Sequence, residues 1–296
     1  YYISATDALK QFEARTLSSR ELVQAVADRS RQVNPKLNAY TYTFYDRAMQ
    51  EAEKAEARYR NGTNRPLEGI PLVVKDSNAV AGEITTYGSK IYADYRPKRT
   101  HPGVQRLLDA GAILLARSTM PEFGEAGNCY TPLWGVTRNP WNTEFGPGGS
   151  SSGAGASLAA GMTTLADGSD IGGSIRIPAA CCGVVGYKPP YGRNPNPYES
   201  SFDPYMHYGP LARTVSDIAL MQNITAGVSV EDIGTVREKV HIPDRLGSVK
   251  GWKIAYSVDL GYFQVDNEVR KNMLDTLTAL RDAGCQVEEV ELGWTE

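Results

Sequence analysis

Apolar positions recur with a helical period over much of the first sixty residues. A short helix is expected over 4–14. Ser18 and Glu21 make a capping box ahead of a second helix, in which Leu22, Ala25, Val26 and then Val33 keep the period. An Ala-, Glu-, Arg- and Lys-rich third helix runs over 45–59 and ends at Asn61-Gly62. The pattern then changes. The apolar run Ile70-Pro71-Leu72-Val73-Val74 is a short strand leading into Lys75-Asp76, and a helix over 103–109 stops at Ala110-Gly111. A second apolar strand follows over 112–116. Helix, glycine, strand is the rhythm of an α/β fold with parallel pairing.

Residues 145–161, FGPGGSSSGAGASLAAG, have the composition of a linker, yet they continue into a strand candidate at 162–166. The Pro-rich polar stretch 194–208 reads as a surface loop. Thr214 with Asp217 opens a helix over 214–225. A strand over 252–256, an amphipathic helix over 266–283 with Val269, Met273, Leu274, Leu277 and Leu280 on one face, and a strand over 285–292 complete the pattern. The α/β alternation persists to the last residues. The chain therefore ends inside the pattern, and the absence of an initiating Met is what a trimmed or partial sequence would show.

Composition narrows the class. The 296 residues carry a formal net charge of −3 and are 41% hydrophobic, as in an ordinary globular protein with a large core. Lys and Arg are scattered, so no direct nucleic-acid partner is expected. No apolar run is long enough to span a membrane, and no signal peptide is visible at the start. The four cysteines contain no C-x-x-C pair and read as free thiols of a reducing, cytoplasmic compartment. The three histidines, His101, His207 and His241, have no metal-ligand spacing, so neither metal nor cofactor is expected. His101, before Pro102, reads as a helix cap, and His207 reads as a surface residue or one lining an active-site mouth.

Amide hydrolysis needs an activated nucleophile, donors for an oxyanion and a proton for the leaving amine. Gly172-Gly173-Ser174 can supply the first two, because paired glycines leave their N–H groups unshielded, and a helix beginning at Ser174 would add positive potential. Alone it could equally be a glycine turn with a capping serine. Ser150, after Gly148-Gly149, is weaker still in isolation. Lys75 is a base only if an apolar pocket lowers its pKa.

Taken together, GIPLVVKD at 69–76, GGSSSGAGASLAAG at 148–161 and GSDIGGSIRIPAACCGVVGYKP at 168–189 resemble the amidase-signature family. GAILLARSTMPEFG, WGVTRNPWN and YGPLARTVSD agree in order, and the resemblance covers about residues 5–290. It implies a mixed, mostly parallel twisted sheet covered by helices on both faces. It also implies a single domain over 1–296 lacking the family's usual C-terminal continuation, with a helical segment at 1–60 and a catalytic core at 65–225. By position, Ser174 is the expected nucleophile, Ser150 the bridging serine after a cis peptide, and Lys75 the general base. The amides of Ile171, Gly172, Gly173 and Ser174 are the expected oxyanion hole, supported by Ser151, Asp170 and Arg176. Met120, Phe123, Asn128, Cys129, Trp134 and His207 are candidates for the substrate pocket, with core packing as the alternative for each. Cys181 and Cys182 are expected to pack as small apolar residues.

The expected activity is hydrolysis of a small carboxamide through a seryl acyl-enzyme. A glutamine-hydrolysing component of a tRNA-dependent amidotransferase shares the signature, and an inert binding protein on the same fold is the third possibility. Retention of Lys75, Ser150 and Ser174 together speaks against the last. The partners left open are a second copy of the chain and a separate chain with the C-terminal part.

Overall fold

Every side chain of the strand Pro71–Lys75 and of the strand Ile113–Ser118 is buried, so both faces of the sheet are covered at its middle. The structure, a computed structural model, describes residues 1–295. It divides into two compact units, Tyr1–Asp244 and a shorter one from Arg245.

In the first unit the order is α1 (Ala5–Ala14), α2 (Ser19–Leu37), β1 (Tyr40–Thr43), α3 (Tyr45–Asn61), β2 (Pro71–Lys75), α4 (Pro102–Asp109), β3 (Ile113–Ser118), β4 (Tyr130–Thr131) and β5 (Gly135–Val136). It continues with α5 (Ser152–Ala159), β6 (Leu165–Asp170), α6 (Arg176–Cys182), β7 (Val185–Gly186), β8 (His207–Ala212) and α7 (Val215–Thr225). Six strands form one sheet in the order β1-β3-β2-β6-β8-β7, and β4 and β5 make a separate hairpin-like pair. The expected mixed α/β sheet is present. Its balance differs from the expectation: β3, β2 and β6 pair in parallel, whereas β1, β8 and β7 pair antiparallel with their neighbours. For β8 the cause is connectivity: residues 187–206 link β7 to β8 without a crossover helix, and a return of that kind lays the next strand antiparallel.

The second unit is a β-α-β arrangement. β9 (Lys253–Tyr256) and β10 (Gln286–Glu289) pair in parallel, joined through α8 (Asn267–Asp282), whose Leu277 is buried. Asp266 caps α8 by accepting the Glu268 N–H at 2.8 Å.

Local chemistry explains most boundaries. Ser18 and Glu21 make both bonds of the capping box, and Gly62 ends α3 at φ 66°. His101 caps α4 by accepting the Gly103 N–H at 3.1 Å, and burial lowers its pKa to about 3, so it stays neutral. Thr214 caps α7. Three expectations fail, and one open reading is decided. Tyr40–Thr43 is a strand between the second and third helices, in a stretch read only as helices; its YTYT alternates in type as strands do. The glycine-serine run, whose composition left a linker open, forms the buried helix α5. A Cβ on Gly153 would lie 2.1 Å from the Ala39 carbonyl oxygen, so the small residues let α5 sit against the backbone of its neighbours. The strand expected at 162–166 lies at Leu165–Asp170 and carries polar residues. The stretch 194–208 is not all surface: Asn194 and Asn196 are buried, because their amides bond the Tyr208 and Met206 carbonyls at 2.9 and 3.0 Å. Among the described residues, no helix is long and apolar enough to cross a membrane.

Candidate active site

Lys75 ends β2 with its side chain in the interior, only 1% exposed. Its Nζ donates to Ser150 Oγ at 2.8 Å and to Ser169 Oγ at 3.0 Å. Among the described residues it forms no ion pair, so nothing clamps it as a cation. Burial brings its pKa down to about 7, against the pull of the Asp167 and Asp170 charges, which favour the ammonium. Asp167, on β6, accepts the Lys75 backbone N–H at 2.6 Å and the Asn78 amide at 3.0 Å. Burial raises its pKa to about 6 despite those bonds. Arg117, fully buried on β3, donates to the carbonyls of Lys75 and Asp76, both at 3.1 Å, which fixes the end of β2.

Ser150 sits on the glycine turn before α5, and its bond to Gly149 is cis. Gly149 is there for space: a Cβ would lie 2.6 Å from the Ala126 carbonyl oxygen. The Ser151 N–H donates to the Ser174 carbonyl at 3.0 Å, tying this turn to the one that carries Ser174. The Ser174 turn is built around Asp170. Its carboxylate accepts the amides of Gly173, Ile175 and Arg176 at 2.8, 3.1 and 3.3 Å, and a two-armed bond from the Arg176 guanidinium at 3.0 and 2.9 Å. Burial alone would raise the Asp170 pKa; the guanidinium and the three amides outweigh it and hold it at about 2.

Of the four amides expected to form an oxyanion hole, that of Gly173 is committed to Asp170, whereas those of Ile171, Gly172 and Ser174 make no hydrogen bond among the described residues. Helix α6 starts at Arg176, two residues later than a start at Ser174. The Ser174 hydroxyl makes no hydrogen bond among the described residues. Its link to Ser150 is therefore not formed here, although both line one cleft.

The cleft has a volume of about 410 Å³. Lys75, Ser150, Ser169 and Ser174 lie on its wall, with Ile171 and Gly172. Of the six pocket candidates, Met120 and Phe123 line it. Asn128 is exposed, and Cys129 is buried outside the lining. Trp134 packs edge-on against Tyr42 at 5.2 Å and donates to Thr86 Oγ1 at 3.0 Å. His207 Nδ1 donates to the carbonyls of Tyr205 and Asp170 at 2.6 and 3.2 Å, so its ring braces the turn rather than facing the cleft. Cys182 is buried and Cys181 exposed.

Ser169, Asp167 and Tyr87 belong to the site and escaped the sequence reading. A strand placed at 165–170 would have put Asp167 and Ser169 on one face by simple alternation. Tyr87 had no local signal. The described residues hold no cluster of three or more His, Cys, Asp or Glu suited to a metal.

Asp170→Asn is expected to lower stability at neutral pH by about 1–2 kcal/mol, because it gives up a carboxylate whose folded pKa is near 2. A carboxylate with a depressed folded pKa stabilises above its unfolded value and loses that stabilisation as pH falls toward 2. The difference between the two proteins should therefore shrink between pH 4 and pH 2. Urea titrations across that range check this; a difference independent of pH would contradict it.

The amidase family model matches residues 21–296. The chain is 38% identical to a glutamyl-tRNA(Gln) amidotransferase component of Brachyspira hyodysenteriae, over 96% of this chain and 59% of that protein. It is 37% identical to an acylamidase of Rhodococcus erythropolis, over 99% of this chain and 62% of that one. The solved structure of a bacterial aryl acylamidase of the amidase signature enzymes superposes with a TM-score of 0.93 at 32% identity, covering 99% of this chain and 62% of that one. The chain thus spans about three fifths of the length of these relatives.

Proposed function

This chain belongs to the amidase family, and from that premise we propose that it carries the catalytic machinery of an amide hydrolase with Ser174 as nucleophile, Ser150 as proton bridge and Lys75 as base. The observation that carries the reading is the buried lysine amine, hydrogen-bonded to a serine hydroxyl on the wall of the cleft that also holds Ser174. An ammonium in that place could take no proton; an amine with a pKa near 7 is half free at neutral pH.

The chemistry follows from that placement. Lys75 accepts the Ser150 proton while Ser150 accepts the Ser174 proton, and Ser174 Oγ adds to the amide carbon. The amides of Ile171, Gly172 and Ser174 receive the carbonyl oxygen as it becomes an oxyanion. The proton returns through Ser150 to the amide nitrogen, the C–N bond breaks, and ammonia or an amine leaves. Water then attacks the ester on Ser174 by the same relay, and a carboxylic acid leaves. Asp170 and Arg176 keep the donor turn in shape, and Ser151 ties it to the bridging serine.

The substrate we assign is an uncharged carboxamide. Lys75 and Glu125 are the only charged side chains lining the cleft among the described residues, and Met120, Ile171, Ile177 and Met206 supply apolar surface. A second reading, glutamine hydrolysis within an amidotransferase, rests on the resemblance to the amidotransferase proteins. It would require a cation for the glutamine carboxylate, and the cleft presents none besides Lys75. The free cysteines fit a cytoplasmic setting. The test is a panel of alkyl amides, aryl amides and glutamine, with nitriles as controls. At least about tenfold higher kcat/KM for the uncharged amides is expected, since misplacing one charge in an apolar cleft costs over 1.4 kcal/mol. Preference for glutamine would shift the assignment to the second reading, and no hydrolysis of any amide would overturn both.

A further inference from the structure

Asp76, the neighbour of Lys75, is fully buried, and its carboxylate serves a different part of the cleft. It accepts the N–H groups of Thr86 and Gly88, both at 3.2 Å, and the Thr86 hydroxyl. Trp134 Nε1 adds a bond to that hydroxyl at 3.0 Å. These bonds fasten the turn 86–88, whose middle residue, Tyr87, lines the cleft. Tyr87 is held at φ 51° and Phe123 at φ 53°, a region that L side chains occupy only where their surroundings impose it. The two are tied by the Phe123 N–H donating to the Tyr87 carbonyl at 2.8 Å. Gly88 permits this docking, since a Cβ there would lie 2.8 Å from the Met120 carbonyl oxygen and 3.1 Å from the Glu122 nitrogen.

The side chains brought together are aromatic. Tyr92 packs edge-to-face on Tyr87 at 5.4 Å and on Phe123 at 6.2 Å, so a third ring backs the two that face the cleft. The Tyr87 hydroxyl makes no hydrogen bond among the described residues; what the turn presents is the ring. Such a wall, with Met120 beside it, favours a flat apolar group through ring–ring and sulfur–ring contacts. We propose that Tyr87 is a specificity-determining residue selecting an aromatic ring carried by the carboxamide, and that Asp76 is the positioning residue that holds it. The proposal rests on the amide reading for the identity of the polar group.

Equilibrium titration of the full chain carrying Ser174→Ala, which needs no turnover, tests it. The ligands are benzamide, with the ring on the acyl side, acetanilide, with the ring on the amine side, and isobutyramide. At least one ring-bearing amide should bind tenfold or more tightly than isobutyramide. Adding Tyr87→Ala should reduce that preference below threefold, Tyr87→Phe should retain it, and Asp76→Asn should cut it about fivefold while leaving isobutyramide affinity unchanged. A merely structural role for Asp76 would weaken all three ligands alike. Equal affinities, or a ring preference that survives Tyr87→Ala, would overturn the proposal. Wild-type turnover of the same amides tests the parent reading separately, so ring preference without hydrolysis would leave the subsite and remove the reaction.

Discussion

Ser174→Ala is expected to lower kcat by about 10⁴-fold or more, the scale seen when the nucleophile of a serine hydrolase is removed. The same substitution should barely touch stability. The Ser174 hydroxyl makes no hydrogen bond among the described residues, and the side chain is half-buried at the cleft. Removing it strands no partner, so the change in unfolding free energy should stay within about 0.5 kcal/mol. Kinetics with an uncharged amide and a thermal melt, measured on one preparation, check both halves. Activity retained within tenfold would remove Ser174 from the nucleophile's role.

Lys75→Met should separate activity from stability in the opposite sense. Turnover is expected to fall by about 10³-fold or more, because the general base is gone. Stability at neutral pH should rise. A lysine that keeps its proton to about 10.5 when unfolded and loses it near 7 when folded gives up roughly 5 kcal/mol of proton affinity on burial. Methionine has nothing to give up, and it forfeits two hydrogen bonds, to Ser150 and Ser169, each worth about 1 kcal/mol. A net gain on the order of 3 kcal/mol follows. For the wild type, the unfolded chain holds a proton that the folded one lacks between pH 7 and about 10.5. This contribution to stability therefore rises with pH across that window, and Lys75→Met should flatten the rise. Chemical denaturation at pH 7 and pH 9.5 measures it; a variant destabilised at both would contradict the buried-amine account.

Much of this was legible in the chain itself, for identifiable reasons. Capping is short-range, so Ser18 with Glu21, His101 and Thr214 marked helix starts that the structure bears out. The buried run at 70–74 announced β2, because a strand covered on both faces shows no polar alternation. What failed was chemistry against the usual pattern. β6 carries Asp167, Ser169 and Asp170 in a central strand, where propensity argues for apolar residues, and so its place was missed. Helix α5 had the composition of a linker because glycine and serine mark loops in isolation, and contacts with Ala39, Thr119 and Pro178 explain the small size of its glycines. The pocket was the least legible part. Asn128, Cys129 and Trp134 follow Phe123 in the chain and His207 pairs with Asp170 across the sheet, but none of them lines the cleft. Tyr87 reaches the cleft only through bonds to Asp76 that no local pattern displays.

The central claim is that a buried amine, half uncharged at neutral pH, drives the serine at 174 through the one at 150. The pH dependence of covalent labelling by a small fluorophosphonate, with the modified peptide identified by mass spectrometry, tests it most directly. The account predicts a single adduct on Ser174, formed at a rate that rises with a midpoint near pH 7 and is lost in Lys75→Met. An adduct on another residue, or a labelling rate indifferent to pH and to Lys75, would contradict it.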